Sequence, residues 1–168
     1  IIRLLLLKIW KISDFVKEND MYLHIDGARF SNALVNLGIT PKEFLKYVKP
    51  DVLAFGGTKN GLMFGEAILV FNKKLAENCI YLRKQCLQLA SKMRFLSAQF
   101  IPYIEDNLWY KNAKNANDMA KYLSEELKKI DIEVVNSVDA NIIFAKLPSS
   151  IIEPLNNFSH FYVWNKEE

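Results

Sequence analysis

Two histidines and two cysteines in 168 residues leave too few imidazoles and thiolates to build a metal site. Cys79 and Cys86 stand seven positions apart on one predicted helix. That is about 10 Å of rise, beyond disulfide reach. Neither sign of charge dominates, since 22 basic residues are interspersed with 19 acidic ones for a net charge of +3. The basic stripe of a nucleic-acid binder is therefore missing. The longest apolar run, Ile1 to Trp10, holds Arg3 and Lys8 and is too short for a membrane span. No small-residue cleavage site follows it, so it does not read as a signal peptide either. Internal repeats and low-complexity linkers are also lacking. What remains, 51% hydrophobic and 24% charged, suffices for one core and is not disordered. The expectation is a soluble cytoplasmic protein with neither nucleic acid nor membrane as partner.

Two short apolar segments each end in a charged cluster. Tyr22 to Ile25 is β-prone and is stopped by Asp26-Gly27; Asp51 to Phe55 repeats the pattern and is stopped by Gly56-Gly57. The first stop lies within His24-Ile25-Asp26-Gly27-Ala28-Arg29, the second within Gly56-Gly57-Thr58-Lys59-Asn60-Gly61. Between them, Phe30 to Leu37 reads as a helix closed by Gly38. Thr40-Pro41-Lys42-Glu43 opens another, with a capping box and proline at its first position. Strand, helices, strand is one crossover unit, so the two strands are predicted parallel with adjacent C-terminal ends. Ligands collect at such ends in α/β sheets.

A carboxylate and a lysine at one sheet edge suit pyridoxal 5'-phosphate. That cofactor joins a lysine amine, and a carboxylate opposite its ring nitrogen keeps the nitrogen protonated, making the ring an electron sink. Taken singly, Asp26-Gly27 is an ordinary turn and Lys59 a solvated lysine. The order of the residues, however, resembles the threonine aldolase branch of the β-eliminating lyases, which are fold type I pyridoxal phosphate enzymes. Lys17 to Phe71 is similar to that family's central block, Arg83 to Phe95 to the basic helical segment of its low-specificity members, and Val138 to Phe144 to the first strand of its small C-terminal domain.

The resemblance implies an α/β fold: part of the large domain, a mostly parallel sheet with helices, over residues 1–100, then the start of a small α+β domain over 101–168. It makes Lys59 the cofactor-linked lysine and Asp26 the partner of the ring nitrogen. Arg29 would lie beside the cofactor's phenolic oxygen and the substrate carboxylate, while Thr58 and Arg94 would contact the phosphate. The implied reaction is cleavage of L-threonine or L-allo-threonine to glycine and acetaldehyde in a homodimer or homotetramer. A related lyase acting on aromatic amino acids fits the cofactor residues but matches Arg83 to Phe95 poorly, and a non-catalytic remnant or interaction module is the third reading. His24 is expected to be packed and hydrogen-bonded opposite Ile25, and stays outside the catalytic set.

Family members are about twice this long, so the chain is expected to be a fragment lacking the N-terminal half and the extreme C-terminus, and impaired as an enzyme. Ile1 to Trp10 is unlike the amphipathic helix expected before Lys11 to Val16. The expectation is that these residues derive from a shifted reading frame, which an uninterrupted in-frame first half in the upstream DNA would refute. The rest reads as a buried strand Ala67 to Phe71 and a helical region from the cap Asn72 to residue 100, broken or kinked at Pro102. A helix follows from Asn115 to Lys129 with Met119, Ala120, Leu123 and Leu127 inward. Three β-prone segments come last (Ile132 to Val135, Ala140 to Leu147, Phe161 to Trp164), with a short helix at Ile151 to Glu153.

Overall fold

The computed structural model describes residues 2–165, with side chains from residue 8 onward. Contacts divide the chain into two compact units, Ile1–Ala116 and Asn117–Glu168.

The first unit is built on the crossover that the sequence predicts. Helix α1 (Ile2–Glu18) takes in most of the N-terminal apolar run and leads to strand β1 (His24–Gly27). Helices α2 (Phe30–Leu37) and α3 (Pro41–Val48) then carry the chain to β2 (Val52–Gly56). β1 and β2 are parallel, with Asp26 opposite Ala54 and Gly27 opposite Phe55. β1 starts and ends two residues later than the apolar pattern suggested, so Asp26 sits inside the strand and not beyond it.

Helix α2 buries Phe30, Leu34 and Leu37, one face at helical spacing. It ends at Gly38, whose left-handed φ of 61° suits a residue without Cβ. Helix α3 begins in a full capping box: the Glu43 amide donates to Thr40 Oγ1 at 3.2 Å, and the Thr40 amide donates to Glu43 Oε2 at 2.8 Å. Phe44 and Val48, one turn apart, complete a core with Phe30, Leu34 and Leu53. Phe30 meets Phe44 edge-to-face at 5.0 Å and Phe55 at 6.0 Å. Buried Ser13 of α1 donates to the Val48 carbonyl, satisfying a helix end.

The bonds from Thr40 hold the Glu43 carboxyl below its ordinary value. A depressed carboxyl stabilises the fold above its unfolded pKa, and that contribution is lost as pH falls through the folded value. Thr40→Ala should cost about 1 kcal/mol. Urea titrations should also show the wild-type advantage over this variant shrinking on acidification below the ordinary glutamate range.

Strand β3 (Glu66–Val70) pairs antiparallel with β2 and completes the order β1-β2-β3, so the sheet is mixed. Asp51 ties its base together. Its carboxylate accepts from the Leu23 amide at 2.8 Å and from Asn72 Nδ2 at 2.7 Å, and its carbonyl accepts from the Phe71 amide at 2.8 Å. The expectation that β3 is buried fails. Ile68 is 61% exposed and Leu69 38%, and neighbouring strand residues face opposite ways, so neither face of this edge strand is covered.

The stretch after Asn72 is not one helix. Asn72 does cap α4 (Lys73–Ala76), but α5 (Cys79–Gln85) follows separately, and Leu87, at a φ of 58°, turns the chain out of it. Then come α6 (Met93–Ala98) and α7 (Phe100–Glu105). Leu82 and Leu89 are 51% and 40% exposed, so no continuous apolar stripe binds these turns to a core, and short helices without one do not fuse. The expected break at Pro102 is present: α6 ends at Ala98 and α7 starts anew at Phe100, and Pro102, the third residue of α7, has no amide to donate back to the Ala98 carbonyl.

Helix α8 (Leu108–Lys129) starts seven residues earlier than expected. Its buried positions are Ala113, Asn117, Ala120 and Ser124, while Met119 and Leu123 are exposed. The expected stripe was rotated from the true one because small polar residues occupy half of it. In the second unit the three predicted strands shrink to one bridge, Val134 to Ala145. It is flanked by Val135 N–H donating to the Phe144 carbonyl and Lys146 N–H to the Glu133 carbonyl, both at 2.9 Å. Val138 to Phe144 is therefore not a strand here, nor is Phe161 to Trp164, though Trp164 packs edge-to-face on Phe144 at 5.8 Å. The short helix around Ile151 to Glu153 is present and longer, as α9 (Ser149–Phe158). Both cysteines are free thiols. Among the described residues no helix is long and apolar enough to cross a membrane.

Candidate functional site

The parallel register brings the C-terminal ends of β1 and β2 side by side, and with them the two clusters singled out in the sequence. They come together tightly at Gly56, where a Cβ would lie 2.6 Å from the Ala28 carbonyl oxygen and 2.7 Å from its Cα. Any side chain at 56 would push the Asp26-to-Arg29 loop away from the Thr58-to-Asn60 turn. Gly56→Ala is accordingly expected to cost about 1–3 kcal/mol in urea unfolding.

Asp26 is exposed, and its Oδ1 accepts from the Ala28 amide at 3.0 Å, which fixes the carboxylate at the strand end. Arg29 is half-buried and stands at the N-cap position of α2, where its side chain makes no capping bond. Lys59 is the middle residue of a 3-10 turn, Thr58–Asn60, directly after β2, and is exposed. Residues bearing a carboxylate, a guanidinium and an amine thus lie at or just past the C-terminal ends of one parallel pair. Such a donor set fits a ligand with a protonated ring nitrogen, an aldehyde and an acidic substrate arm.

Thr58 is bound into its own loop. Its hydroxyl donates to the Gly65 carbonyl at 3.2 Å and accepts from the Gly65 amide at 3.0 Å. The proton expected to face a phosphate is directed at Gly65. Arg94 stands on α6, exposed, with its guanidinium 4.8 Å from the Phe95 ring centre. Nothing in the β1–β2 register brings Arg94 to the strand ends. His24 is exposed on the same face of β1 as Asp26, two residues along, and not packed as expected. A four-residue strand with one face open leaves nothing to pack it.

Several residues at the site escaped the sequence reading. Glu66 reaches back from β3 to accept from the Gly57 amide at 3.2 Å and the Thr58 amide at 3.4 Å. Gln99 clamps the loop before β3, accepting from the Met63 amide at 2.9 Å and donating to the Phe64 carbonyl at 2.9 Å. Under the lysine, buried Asn60 donates from Nδ2 to the Tyr103 hydroxyl at 2.6 Å and to the Trp109 carbonyl at 2.8 Å. Asn112 Nδ2 donates to the Asn60 carbonyl at 3.0 Å. The only local signal was Asn60 itself, a polar residue that follows the lysine; its partners lie more than forty residues away.

Comparison with known proteins places the chain. The Beta-eliminating lyase family profile matches residues 5–149. The chain is 49% identical over 147 residues to a low specificity L-threonine aldolase of Pseudomonas sp. (strain NCIMB 10558), covering 87% of this chain and 42% of the relative. A low-specificity L-threonine aldolase of Candida albicans is 30% identical over 147 residues, covering 88% of this chain and 38% of the relative. Among solved structures, a threonine aldolase of Leishmania major superposes with a TM-score of 0.82 at 32% identity, over 90% of this chain and 44% of that one. The chain spans less than half the length of the curated relatives it matches.

Proposed function

The chain belongs to the beta-eliminating lyase family, and from that premise we propose that it carries the lysine-bearing part of a pyridoxal 5'-phosphate-dependent carbon–carbon lyase acting on L-threonine and L-allo-threonine. The observation that carries this reading is the parallel pairing of β1 and β2, which sets Asp26 and the turn bearing Lys59 at one sheet edge. The substrate class rests on the low-specificity threonine aldolases that the chain resembles.

In this reading Lys59 holds the cofactor through Nζ, and Asp26 holds a proton on the ring nitrogen. Arg29 orients the substrate through its carboxylate, a planar fork meeting a planar anion. Thr58 and Arg94 contact the phosphate, which requires the Thr58 hydroxyl to turn away from Gly65. When bound, the cofactor supplies an electron sink conjugated to the substrate's amino group. Lys59, once released, is an amine of the right kind to hand a proton to the α-carbon left when the Cα–Cβ bond breaks, while the β-hydroxyl proton goes to a base outside this set of residues. Residues 1–100 would belong to the cofactor-binding domain and 101–168 to the start of the small one. The assembly would be a cytoplasmic homodimer or homotetramer.

A second reading is that the isolated chain is a non-catalytic remnant or interaction module. One observation favours it: Asp26, Thr58 and Lys59 are all exposed, with no wall of described residues over them to exclude water. Assays of the purified chain with pyridoxal phosphate separate the readings. Acetaldehyde and glycine formed from L-threonine at ordinary turnover would sink the remnant reading. Pyruvate released from aromatic amino acids, with no acetaldehyde from threonine, would sink the aldolase reading. Specific cofactor binding without turnover is the expected result.

A further inference from the structure

Lys59 is exposed on a three-residue turn, and such a turn has little of its own to hold it still. Within it, the Asn60 and Leu62 amides donate to the Gly57 carbonyl at 3.0 and 3.1 Å. The remaining restraint comes from beneath. Asn60 is 5% exposed and Tyr103 1%. The Tyr103 hydroxyl lies 2.6 Å from Asn60 Nδ2 and 3.2 Å from Ser31 Oγ, itself buried on α2. The second Asn60 Nδ2 proton goes to the Trp109 carbonyl in the first turn of α8, and Asn112 closes on the Asn60 carbonyl from the same helix.

Four elements thus meet through two side chains, Asn60 and Tyr103: the lysine turn, α2, α7 and α8. Both Nδ2 protons of the buried Asn60 amide are paired and its backbone carbonyl is held by Asn112, which leaves the side chain one favourable orientation, and each bond is strengthened by the low-dielectric surroundings. An apolar side chain at 60 or 103 would fill the same volume without fixing direction. A polar network kept in a core, and placed one residue from the reactive amine, sets geometry more than it adds stability.

We propose that Asn60 and Tyr103 are positioning residues: their hydrogen-bond network fixes the turn that presents Lys59 and locks it to α2, the helix that follows Arg29. This rests on the reading of Lys59 as the cofactor lysine, and deepens it.

The test uses the full 168-residue chain as wild type, Tyr103→Phe and Asn60→Ala. Hydrogen exchange is followed by mass spectrometry on peptides covering residues 57–62, with 41–48 and 52–56 as references. The label trapped at Lys59 by pyridoxal phosphate and borohydride is measured on the same samples. Tyr103→Phe keeps the ring and removes only the hydroxyl, so it is expected to fold. Exchange over 57–62 should rise about tenfold, the worth of one buried hydrogen bond. The reference peptides should not change, and the Lys59 label should fall several-fold. Unchanged exchange, or an equal rise in all three peptides, overturns the proposal, the second by showing a role in general stability alone. A loosened turn with undiminished Lys59 label overturns it as well. A wild-type chain that takes no label at Lys59 refutes the cofactor reading instead, and the exchange comparison still decides whether the network holds the turn.

Discussion

Lys59→Ala should raise the dissociation constant for pyridoxal phosphate roughly a hundredfold, because losing the covalent link leaves only the surrounding hydrogen bonds and ion pairs. Lys59→Arg should lose as much. Arginine keeps the charge, so a purely electrostatic role for position 59 would be rescued by it, whereas a covalent role cannot be, since a guanidinium stays protonated and does not condense with an aldehyde at neutral pH. Lys73→Ala is the matched control: Lys73 is equally exposed but stands at the start of α4, beyond the far end of β3. Visible absorbance titrations of the four proteins give the comparison directly. Equal affinities throughout would remove Lys59 from the site.

Phe30→Ala should destabilise the first unit by about 3–5 kcal/mol, the range for truncating a buried aromatic. Phe30 is 6% exposed and its ring is the hinge of the core, set edge-to-face against Phe44 of α3 and Phe55 of β2. The vacancy cannot be closed by a small shift, because both neighbours are anchored by other elements, α3 through its capping box and β2 by pairing on both sides. Domains of this size hold a net stability of only about 5–15 kcal/mol, so one such loss consumes much of it. Since Phe30 follows Arg29 and opens α2, the same change should also loosen the start of that helix. Urea unfolding monitored by circular dichroism provides the check, with Phe158→Ala, at a ring 90% exposed, expected to change little.

The crossover from β1 to β2 was legible because each of its parts is specified locally. A capping box, a proline at a helix start and a glycine at a helix end act within four residues, and the structure has all three where the sequence puts them. The charged clusters were legible for the same reason, as interruptions of short apolar runs. What failed depended on partners far along the chain. Ala67 to Phe71 has the composition of a buried strand, but burial is conferred by what covers it, and here Ile68 and Leu69 stay exposed. The stretch from Asn72 to residue 100 reads as a helical region, yet without a continuous apolar surface to pack on, the chain turns at Leu87. The α8 stripe was misread because Asn117 and Ser124 are buried in place of the apolar neighbours Met119 and Leu123. At the site, Asp26, Arg29, Thr58 and Lys59 could be picked out in sequence, whereas Asn60, Tyr103 and Glu66 could not. Their importance lies in bonds spanning eight to seventy-two positions, which no local pattern encodes.

Gly56 shows how one position joins the two levels. In sequence it merely ends a strand; in the fold it is the point where the carboxylate loop and the lysine turn touch. The same holds for Thr58, whose resemblance-based role as a phosphate contact competes with its bonds to Gly65.

Reducing the wild-type chain with borohydride in the presence of pyridoxal phosphate, then locating the label by peptide mass spectrometry, tests most directly the claim that the paired strand ends form a cofactor-lysine site. The account predicts label concentrated on Lys59 and absent from that peptide in Lys59→Ala. Label scattered over the exposed lysines and unchanged by the substitution would contradict it.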